Sequence, residues 1–296
     1  HNWHNETLFD RMHAHDVSHA VYIEGLVSLT QLVNGFKHDN VIRAGSKLSA
    51  FKDDIKAGKL PQYAFIEPKF LGQHNDQHPS SIVPDFIHDD GPTKVGTVLL
   101  GEQLIWDVYN TIFSSDYRDN TLLIITHDEH GGGFDHVAPP NIPGSDKPGQ
   151  NGFAFDRLGI RVPMVMVSAH IKENTIVNDH FEHCSFIKTM CEKWNMPGLT
   201  DRDRSAPSFS AVFSGQARKL WPTIREPHIP DCTSDADYDD DPLNDLQKTL
   251  ITGAAYLAQH NTNQPFNSGV CDQIEKVGEA KKFLQGIQGD LNRVLK

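Results

Sequence analysis

A short apolar run followed by a dense cluster of charged residues and glycines constrains this chain more than any other stretch. Residues 122–125 are Leu-Leu-Ile-Ile, and residues 126–137 read Thr-His-Asp-Glu-His-Gly-Gly-Gly-Phe-Asp-His-Val. The apolar run predicts a buried strand of a covered, mostly parallel sheet. Acids and histidines directly after such a strand lie at its carboxyl edge, where open α/β sheets bind ligands. The pattern therefore predicts a metal-dependent hydrolytic site; the alternative is an acidic turn with incidental histidines.

Composition excludes several classes of protein. The chain has 296 residues, of which 38% are hydrophobic and 22% charged, so it can bury a sizeable core. Its formal net charge is −12 and its lysines and arginines form no cluster, so we expect no nucleic-acid partner. No apolar run approaches the ~20 residues that span a bilayer, and no transmembrane segment is predicted.

Strand-like and helix-like segments alternate along the chain. In chain order they are a helix at 6–15, a helix at 47–57, a strand at 63–66, a helix at 95–112, a strand at 121–126, a strand at 162–167 and a helix at 181–194. This order predicts a layered α/β fold with a mostly parallel central sheet flanked by helices.

The composition shifts after about residue 205. We therefore predict a catalytic core at 1–205 and a C-terminal extension at 206–296. The acidic run 231–241 lacks the glycine and terminal glutamate of an EF-hand, so it is interpreted as a solvated linker rather than a calcium loop. Amphipathic helices are predicted after it, at 243–258 and 272–295.

Two adjacent carboxylates are the first candidate site residues. Asp128 and Glu129 follow the predicted strand, where a turn of the backbone would let both converge on one cation. Carboxylate oxygens suit Mg²⁺, Ca²⁺ or Mn²⁺, and added imidazoles would allow Zn²⁺ or Fe. The alternative is that one of the two carboxylates only caps the next turn.

Two histidines outside this cluster are also candidates. His78 lies in the polar stretch 73–92, where it could ligate a metal, bind a phosphate oxygen or protonate a leaving group; the alternative is an ordinary loop histidine. His183 lies near a predicted helix start, where free N–H groups and the helix dipole favour anions, although position alone is a weak signal.

Several motifs occur in an order that resembles a known family. They are Tyr-Ala-Phe-Ile-Glu-Pro at 63–68, Asn-Asp-Gln-His-Pro at 75–79, Asp-Glu-His-Gly-Gly at 128–132 with Asp-His-Val at 135–137, Gly-Ile-Arg-Val-Pro at 159–163, and Glu-His-Cys-Ser at 182–185. The chain resembles the phosphoesterase family of bacterial and plant phospholipases C and certain acid phosphatases, whose fold is alkaline-phosphatase-like. The similarity runs from about residue 7 to residue 200.

The resemblance implies roles for seven residues. It makes Asp128 and Glu129 ligands of one divalent metal ion. The other five residues belong to the matching motifs and are implied to be catalytic: Asp76, His78, His130, His136 and His183.

The front of the chain departs from the family pattern. Family members begin with a Glu-Asn pair that supplies further metal ligands, and a Ser or Thr nucleophile follows it; neither has a convincing counterpart here. We expect that residues before His1 exist in the complete protein or on a separate piece. A chain truncated in this way should bind metal poorly and lack covalent catalysis.

The leading hypothesis is metal-dependent hydrolysis of phosphoric esters through that upstream nucleophile. Phospholipid is favoured slightly over soluble monoesters as the substrate, and a secreted or periplasmic location is expected. Two other hypotheses stay open. One is a non-catalytic chain of the same fold that acts as a binding or assembly module, and the other is a metal-binding or secreted interaction protein.

Overall fold

The computed structural model describes residues 6–24, 28–30, 42–70, 74–78, 93–94, 96–144, 149–230, 233–234, 239–243, 245–260 and 268–294. The α-helices there are α1 (Leu8–Ala14), α2 (Ser49–Lys56), α3 (Val98–Phe113), α4 (His183–Lys193), α5 (Asp201–Ser205), α6 (Asp245–His260) and α7 (Val277–Val294). The strands are β1 (His19–Ile23), β2 (Ile42–Ala44), β3 (Tyr63–Glu67), β4 (Thr93–Lys94), β5 (Leu122–Thr126), β6 (Met164–Ser168) and β7 (Thr233–Ser234).

The chain divides into two compact units. The first unit combines residues 1–111 with 223–296, and the second consists of residues 112–222. The predicted boundary near residue 205, between a catalytic core and an extension, stays a prediction. Of the helices in the described ranges, none combines the length and the apolar character of a membrane span.

The first unit contains a three-stranded parallel sheet. β1 lies between β2 and β3, with Val21 opposite Ile42 on one side and Phe65 on the other. All residues of β1 after His19 are buried, as expected of a parallel strand covered on both faces. The α/β class with a parallel sheet is thus confirmed. The sequence analysis did not predict β1.

Two short helices flank this sheet close to their predicted positions. α1 begins at a capping box, in which the Asp10 amide donates to Thr7 Oγ1 at 3.2 Å and the Thr7 amide donates to Asp10 Oδ2 at 2.8 Å. α2 packs the Phe51 ring edge-on against Tyr22, with the ring centroids 5.3 Å apart. The Tyr22 hydroxyl donates to Asp54 Oδ2 at 2.7 Å. Burial and this carboxylate raise the Tyr22 pKa above its usual range.

The predicted C-terminal helices are present as α6 and α7, which pack against each other. Their shared core consists of Leu243, Leu250, Ile251, Ala254, Ala255, Ala258, Cys271, Ile274, Val277, Ala280 and Leu284. Within the predicted acidic linker, β7 pairs antiparallel with β4. Residues 231–232 and 235–238 of that linker lie outside the described residues.

The strand pairing in the second unit shows that one prediction about the sheet was wrong. β5 is a strand, but it pairs antiparallel with β6, with Leu122 opposite Ser168 and Thr126 opposite Met164. Its apolar residues are half-buried rather than buried. A parallel return needs a crossover connection, usually an α-helix. The described residues between β5 and β6 form no α-helix: they contain a short 3₁₀ turn at Gln150–Gly152 and an isolated antiparallel bridge between Asn141 and Arg157. The chain therefore returns antiparallel to β5.

Candidate active site

The segment after β5 forms a tight turn that two glycines make possible. Gly131 and Gly132 have φ values of 62° and 78°, which residues with a side chain rarely adopt. The Gly133 amide donates to the His130 carbonyl at 2.9 Å. In return, His130 Nδ1–H donates to the Gly133 carbonyl at 3.0 Å. Because Nδ1 carries the proton in this arrangement, Nε2 is the nitrogen of neutral His130 that can accept one.

The predicted metal ligands lie on this turn. Asp128 and Glu129 are both exposed. Glu129 Oε2 accepts a hydrogen bond from the Gly131 amide at 2.8 Å, so this carboxylate caps the turn as the alternative interpretation expected. Among the described residues, no three His, Cys, Asp or Glu side chains are grouped so that they could hold a metal ion. The two carboxylates therefore form an incomplete donor set, and metal binding stays a prediction.

The start of α4 contacts this turn directly. His183 Nε2–H donates to the backbone carbonyl of Asp128 at 2.9 Å, across 55 residues of sequence. The helix begins at this histidine, since the Glu182 amide donates to the hydroxyl of Ser185, a buried residue of the first turn. The contact leaves Nδ1 as the nitrogen of neutral His183 that can exchange a proton.

An arginine–carboxylate pair supports the far end of the turn. Arg161 Nε and Nη2 donate to Asp135 Oδ2 and Oδ1 at 2.7 and 2.8 Å, and the Val137 amide donates to Oδ1 at 3.1 Å. Hydrogen bonding by Arg161, with help from the Val137 amide, holds the pKa of the Asp135 carboxyl well below its usual range. His136 Nδ1 lies 3.5 Å from Asp135 Oδ1, while the His136 side chain is 83% exposed. Asp135 therefore acts here as a structural anion.

The polar segment 74–78 carries the other two predicted residues. Asp76 Oδ1 accepts a hydrogen bond from His74 Nδ1–H at 2.6 Å and another from the His78 amide at 3.0 Å. His74 is buried and His78 is half-buried. The described part of the predicted polar loop 73–92 is thus an ordered structure built around one carboxylate.

Glu24 attaches this segment to the parallel sheet. It directly follows β1, and its two carboxylate oxygens accept hydrogen bonds from the Lys47 amide at 3.0 Å and from Asn75 Nδ2 at 2.9 Å. Asn75 also pairs with the backbone of Lys69, just beyond β3, by accepting from the Lys69 amide at 2.6 Å and donating to its carbonyl at 2.9 Å. Residues 74–78 therefore lie at the carboxyl ends of two parallel strands, the usual ligand-binding edge of α/β sheets.

The predicted residues fall into two groups. The first unit contains Asp76 and His78, and the second contains Asp128, Glu129, His130, His136 and His183. Sequence reasoning missed the anchoring pair of Asp135 and Arg161, although both lie in motifs that it singled out. It also missed His74, whose only signal was its position next to the Asn-Asp-Gln-His-Pro motif.

Comparison with known proteins decides the family. A sequence model of the phosphoesterase family matches residues 1–197. The chain belongs to the phosphoesterase family. Among similar members, non-specific phospholipase C6 of Arabidopsis thaliana is 30% identical over 312 residues, which cover 98% of this chain and 56% of that protein.

Two further relatives carry related names. Non-specific phospholipase C3 of Arabidopsis thaliana is 29% identical, with 80% of this chain and 46% of that protein covered. Phospholipase C B of Mycobacterium tuberculosis is 28% identical, with 64% of this chain and 38% of that protein covered. This phosphoesterase-family chain thus spans about half the length, or less, of the relatives it matches.

Proposed function

We propose that this chain takes part in the hydrolysis of phosphoric esters, with phospholipase C activity favoured over acid phosphatase activity. The observation that carries the proposal is the contact between His183 Nε2 and the Asp128 carbonyl, which joins two family motifs 55 residues apart. Membership of the phosphoesterase family, and relatives named phospholipases C, support the same chemistry.

The acidic turn is the proposed phosphate-binding region. Asp128 and Glu129 would hold one divalent cation, together with donors that the described residues do not supply. Such a cation would neutralise charge on the phosphate oxygens. The proposed cation is Mg²⁺, Ca²⁺, Mn²⁺, Zn²⁺ or Fe.

Histidines of the chain are the proposed proton donors. His183 is held by its Nε2 contact, so a proton on Nδ1 would be the one available to a leaving alkoxide. His78 is the second candidate, since its backbone amide is fixed by Asp76. His130 and His136, on the turn itself, are proposed to stabilise phosphate charge when protonated. The attacking group is proposed to be a Ser or Thr upstream of residue 1.

The fold is proposed to be alkaline-phosphatase-like, which family membership and the parallel sheet β2-β1-β3 support. Secretion or a periplasmic location is proposed with it. Phospholipid as the substrate agrees with the names of the relatives and with the exposed phenylalanines of the second unit, Phe134, Phe153 and Phe155.

An assay with two substrates tests the function. The chain, and a version that continues upstream of residue 1, would be given p-nitrophenyl phosphate and p-nitrophenylphosphorylcholine with and without each divalent cation. We expect cation-dependent release of p-nitrophenol, faster from the phosphorylcholine ester. Asp128→Asn and Glu129→Gln should each lower turnover about 100-fold or more. Glu173→Gln, at an exposed position of the same unit, is the matched control.

Calorimetry separates metal binding from turnover. Mn²⁺ or Ca²⁺ titrated into the longer protein should bind, and Asp128→Asn should weaken that binding. Turnover that is unchanged in both carboxylate variants at saturating metal would remove these residues from the site.

One observation favours the alternative of a non-catalytic binding or assembly module. It is the lack of a three-donor metal group among the described residues. In that case both versions of the chain would bind inorganic phosphate or vanadate without releasing p-nitrophenol from either ester.

A further inference from the structure

We propose that His74 is a positioning residue for His78, acting through the carboxylate of Asp76. The inference rests on the proposed function, in which His78 is a candidate proton donor. His74 lies outside the Asn-Asp-Gln-His-Pro motif. It nevertheless occupies the most buried position of the segment 74–78, with 2% of its surface exposed.

A single oxygen links the two histidines. Asp76 Oδ1 accepts from His74 Nδ1–H at 2.6 Å and from the His78 amide at 3.0 Å. The Asp76 side chain is 9% exposed, so little water competes for this oxygen. A carboxylate group rotates as a plane, and the short bond from the buried imidazole fixes that plane. Without the imidazole, Asp76 would lose the contact that aims Oδ1 at the His78 amide.

The other imidazole nitrogen explains why the ring is tied to Asp76. His74 Nε2 is buried and has no hydrogen-bond partner among the described residues. The proton therefore belongs on Nδ1, where the carboxylate accepts it, and Nε2 keeps a lone pair. A buried acceptor without a partner is unfavourable, so packing alone would favour an apolar residue at this position. The imidazole is explained by its bond to Asp76.

Gly96 provides the space for the ring. A Cβ atom built on Gly96 would lie 2.3 Å from His74 Nε2, closer than any real contact, so a side chain at position 96 must displace the imidazole. Gly96 has no left-handed backbone angle that would itself demand glycine. The replacement Gly96→Ala is therefore a way to move His74 without changing a polar group.

Neighbouring residues hold the backbone of the segment independently of His74. Asn75 bonds to Glu24 and to the backbone of Lys69. Gln77 Nε2 donates to Glu102 Oε1 at 2.8 Å on α3. With these anchors in place, a change at position 74 should alter the Asp76–His78 link while the segment stays folded.

The central test compares two amide replacements of His74. Asparagine places an N–H close to the position of Nδ1 and should keep the bond to Asp76, whereas glutamine reaches toward the position of Nε2 and should lose it. We expect His74→Gln to lower kcat about 10- to 100-fold for phenyl phosphate and only a few-fold for p-nitrophenyl phosphate, with KM unchanged. His74→Asn should stay within about threefold of the wild type for both. His228→Gln, at an exposed position, is the control.

A second pair of variants repeats the test from the other side of the ring. Gly96→Ala should reproduce the leaving-group dependence of His74→Gln. Gly286→Ala, where no atom lies near the added methyl group, should not. Equal losses for both leaving groups in His74→Gln and Gly96→Ala, accompanied by a lower Tm, would mean that His74 is only a packing residue and would overturn the proposal.

An NMR measurement decides the structural link whether or not the protein turns over substrate. The backbone amide resonance of His78 should move in His74→Gln and stay in place in His74→Asn. An unmoved His78 amide in His74→Gln would overturn the proposal at any level of activity. If the wild type hydrolyses neither ester, or His78→Ala shows no leaving-group dependence, the proposed function fails separately and the amide resonance alone decides the link.

Discussion

Replacing Glu67 by glutamine tests whether burial or hydrogen bonding dominates at the carboxyl end of β3. Glu67 is 2% exposed. Its oxygens accept from the hydroxyls of Ser28 and Thr30 at 2.7 and 2.9 Å and from the Leu29 amide at 2.5 Å. Hydroxyls can rotate to accept, but the backbone amides of Leu29 and Thr30, which both bond to this carboxyl, can only donate. The carbonyl of the new glutamine should therefore face Leu29, and its NH₂ group should face the two hydroxyls.

The pKa shift of Glu67 determines how the stability difference between Glu67→Gln and the wild type changes with pH. Burial raises the pKa of Glu67 above its ordinary value of 4.5, against the opposing effect of the hydrogen bonds. The folded protein therefore holds this proton more tightly than the unfolded chain does. As pH rises from 4.5 to the folded-state pKa, the wild type should lose up to about 1.4 kcal/mol of stability per pH unit from this group. Glutamine resembles the protonated acid and carries no such loss.

Urea unfolding followed by circular dichroism between pH 4 and pH 8 measures the effect. Below pH 4.5, Glu67→Gln and the wild type should differ by less than about 1 kcal/mol. Above that pH the variant should become the more stable protein, and the difference should level off beyond the folded-state pKa. Glu275→Gln, at an exposed position of the same unit, should show no such trend. A Glu67→Gln variant that becomes less stable as pH rises would refute the reasoning, because the hydrogen bonds would then outweigh burial.

Three further outcomes are expected. Arg161→Met removes both side-chain hydrogen bonds that hold the Asp135 pKa low, so carbon-13 NMR should find the pKa of this carboxyl raised toward its ordinary value of 3.8 but still below it, because the Val137 amide remains; an unchanged titration would contradict the pairing. Leu284→Ala empties a fully buried position between α6 and α7 and should lower the free energy of urea unfolding by about 2–5 kcal/mol, and a loss below 1 kcal/mol would argue against that core. Thr200→Ala removes the N-cap of α5 and should cost about 1 kcal/mol in thermal unfolding, whereas Thr200→Ser should restore it.

The local sequence pattern predicted the positions of helices and strands better than it predicted which strands pair with each other. α3 and α4 lie close to their predicted ranges because their apolar residues recur at helical spacing over several turns. β5 and β6 were also placed correctly in the sequence. An apolar run indicates that a strand will be covered, but it carries no information about the strand beside it. The pairing of β5 with β6 depends on the connection between them, which here lacks an α-helix in its described residues.

The candidate site was predictable to the extent that it lies in contiguous motifs. The contact of His183 with the turn uses the backbone carbonyl of Asp128, which every residue type possesses, so no residue pattern could reveal it. The His74 ring lies where a side chain at position 96 would stand, so it needs glycine there. Gly96 is outside the motif and distant from His74 in the sequence. Both contacts are tertiary, so neither could be read from a contiguous motif.

The charge balance of the acidic turn explains why a cation is central to the proposal. Of its three acids, Asp135 is already neutralised by Arg161, and its depressed pKa keeps it ionised there. Asp128 and Glu129 form no ion pair with any described residue, and both are exposed. Two uncompensated carboxylates beside a phosphoric ester would repel it. Phosphate can approach this turn only when positive charge accompanies it, from a bound divalent ion or from protonated histidines such as His130 and His183. The two sources can be told apart at constant pH: a chelator abolishes phosphate binding that depends on a metal ion and leaves binding that depends on protonated histidines intact.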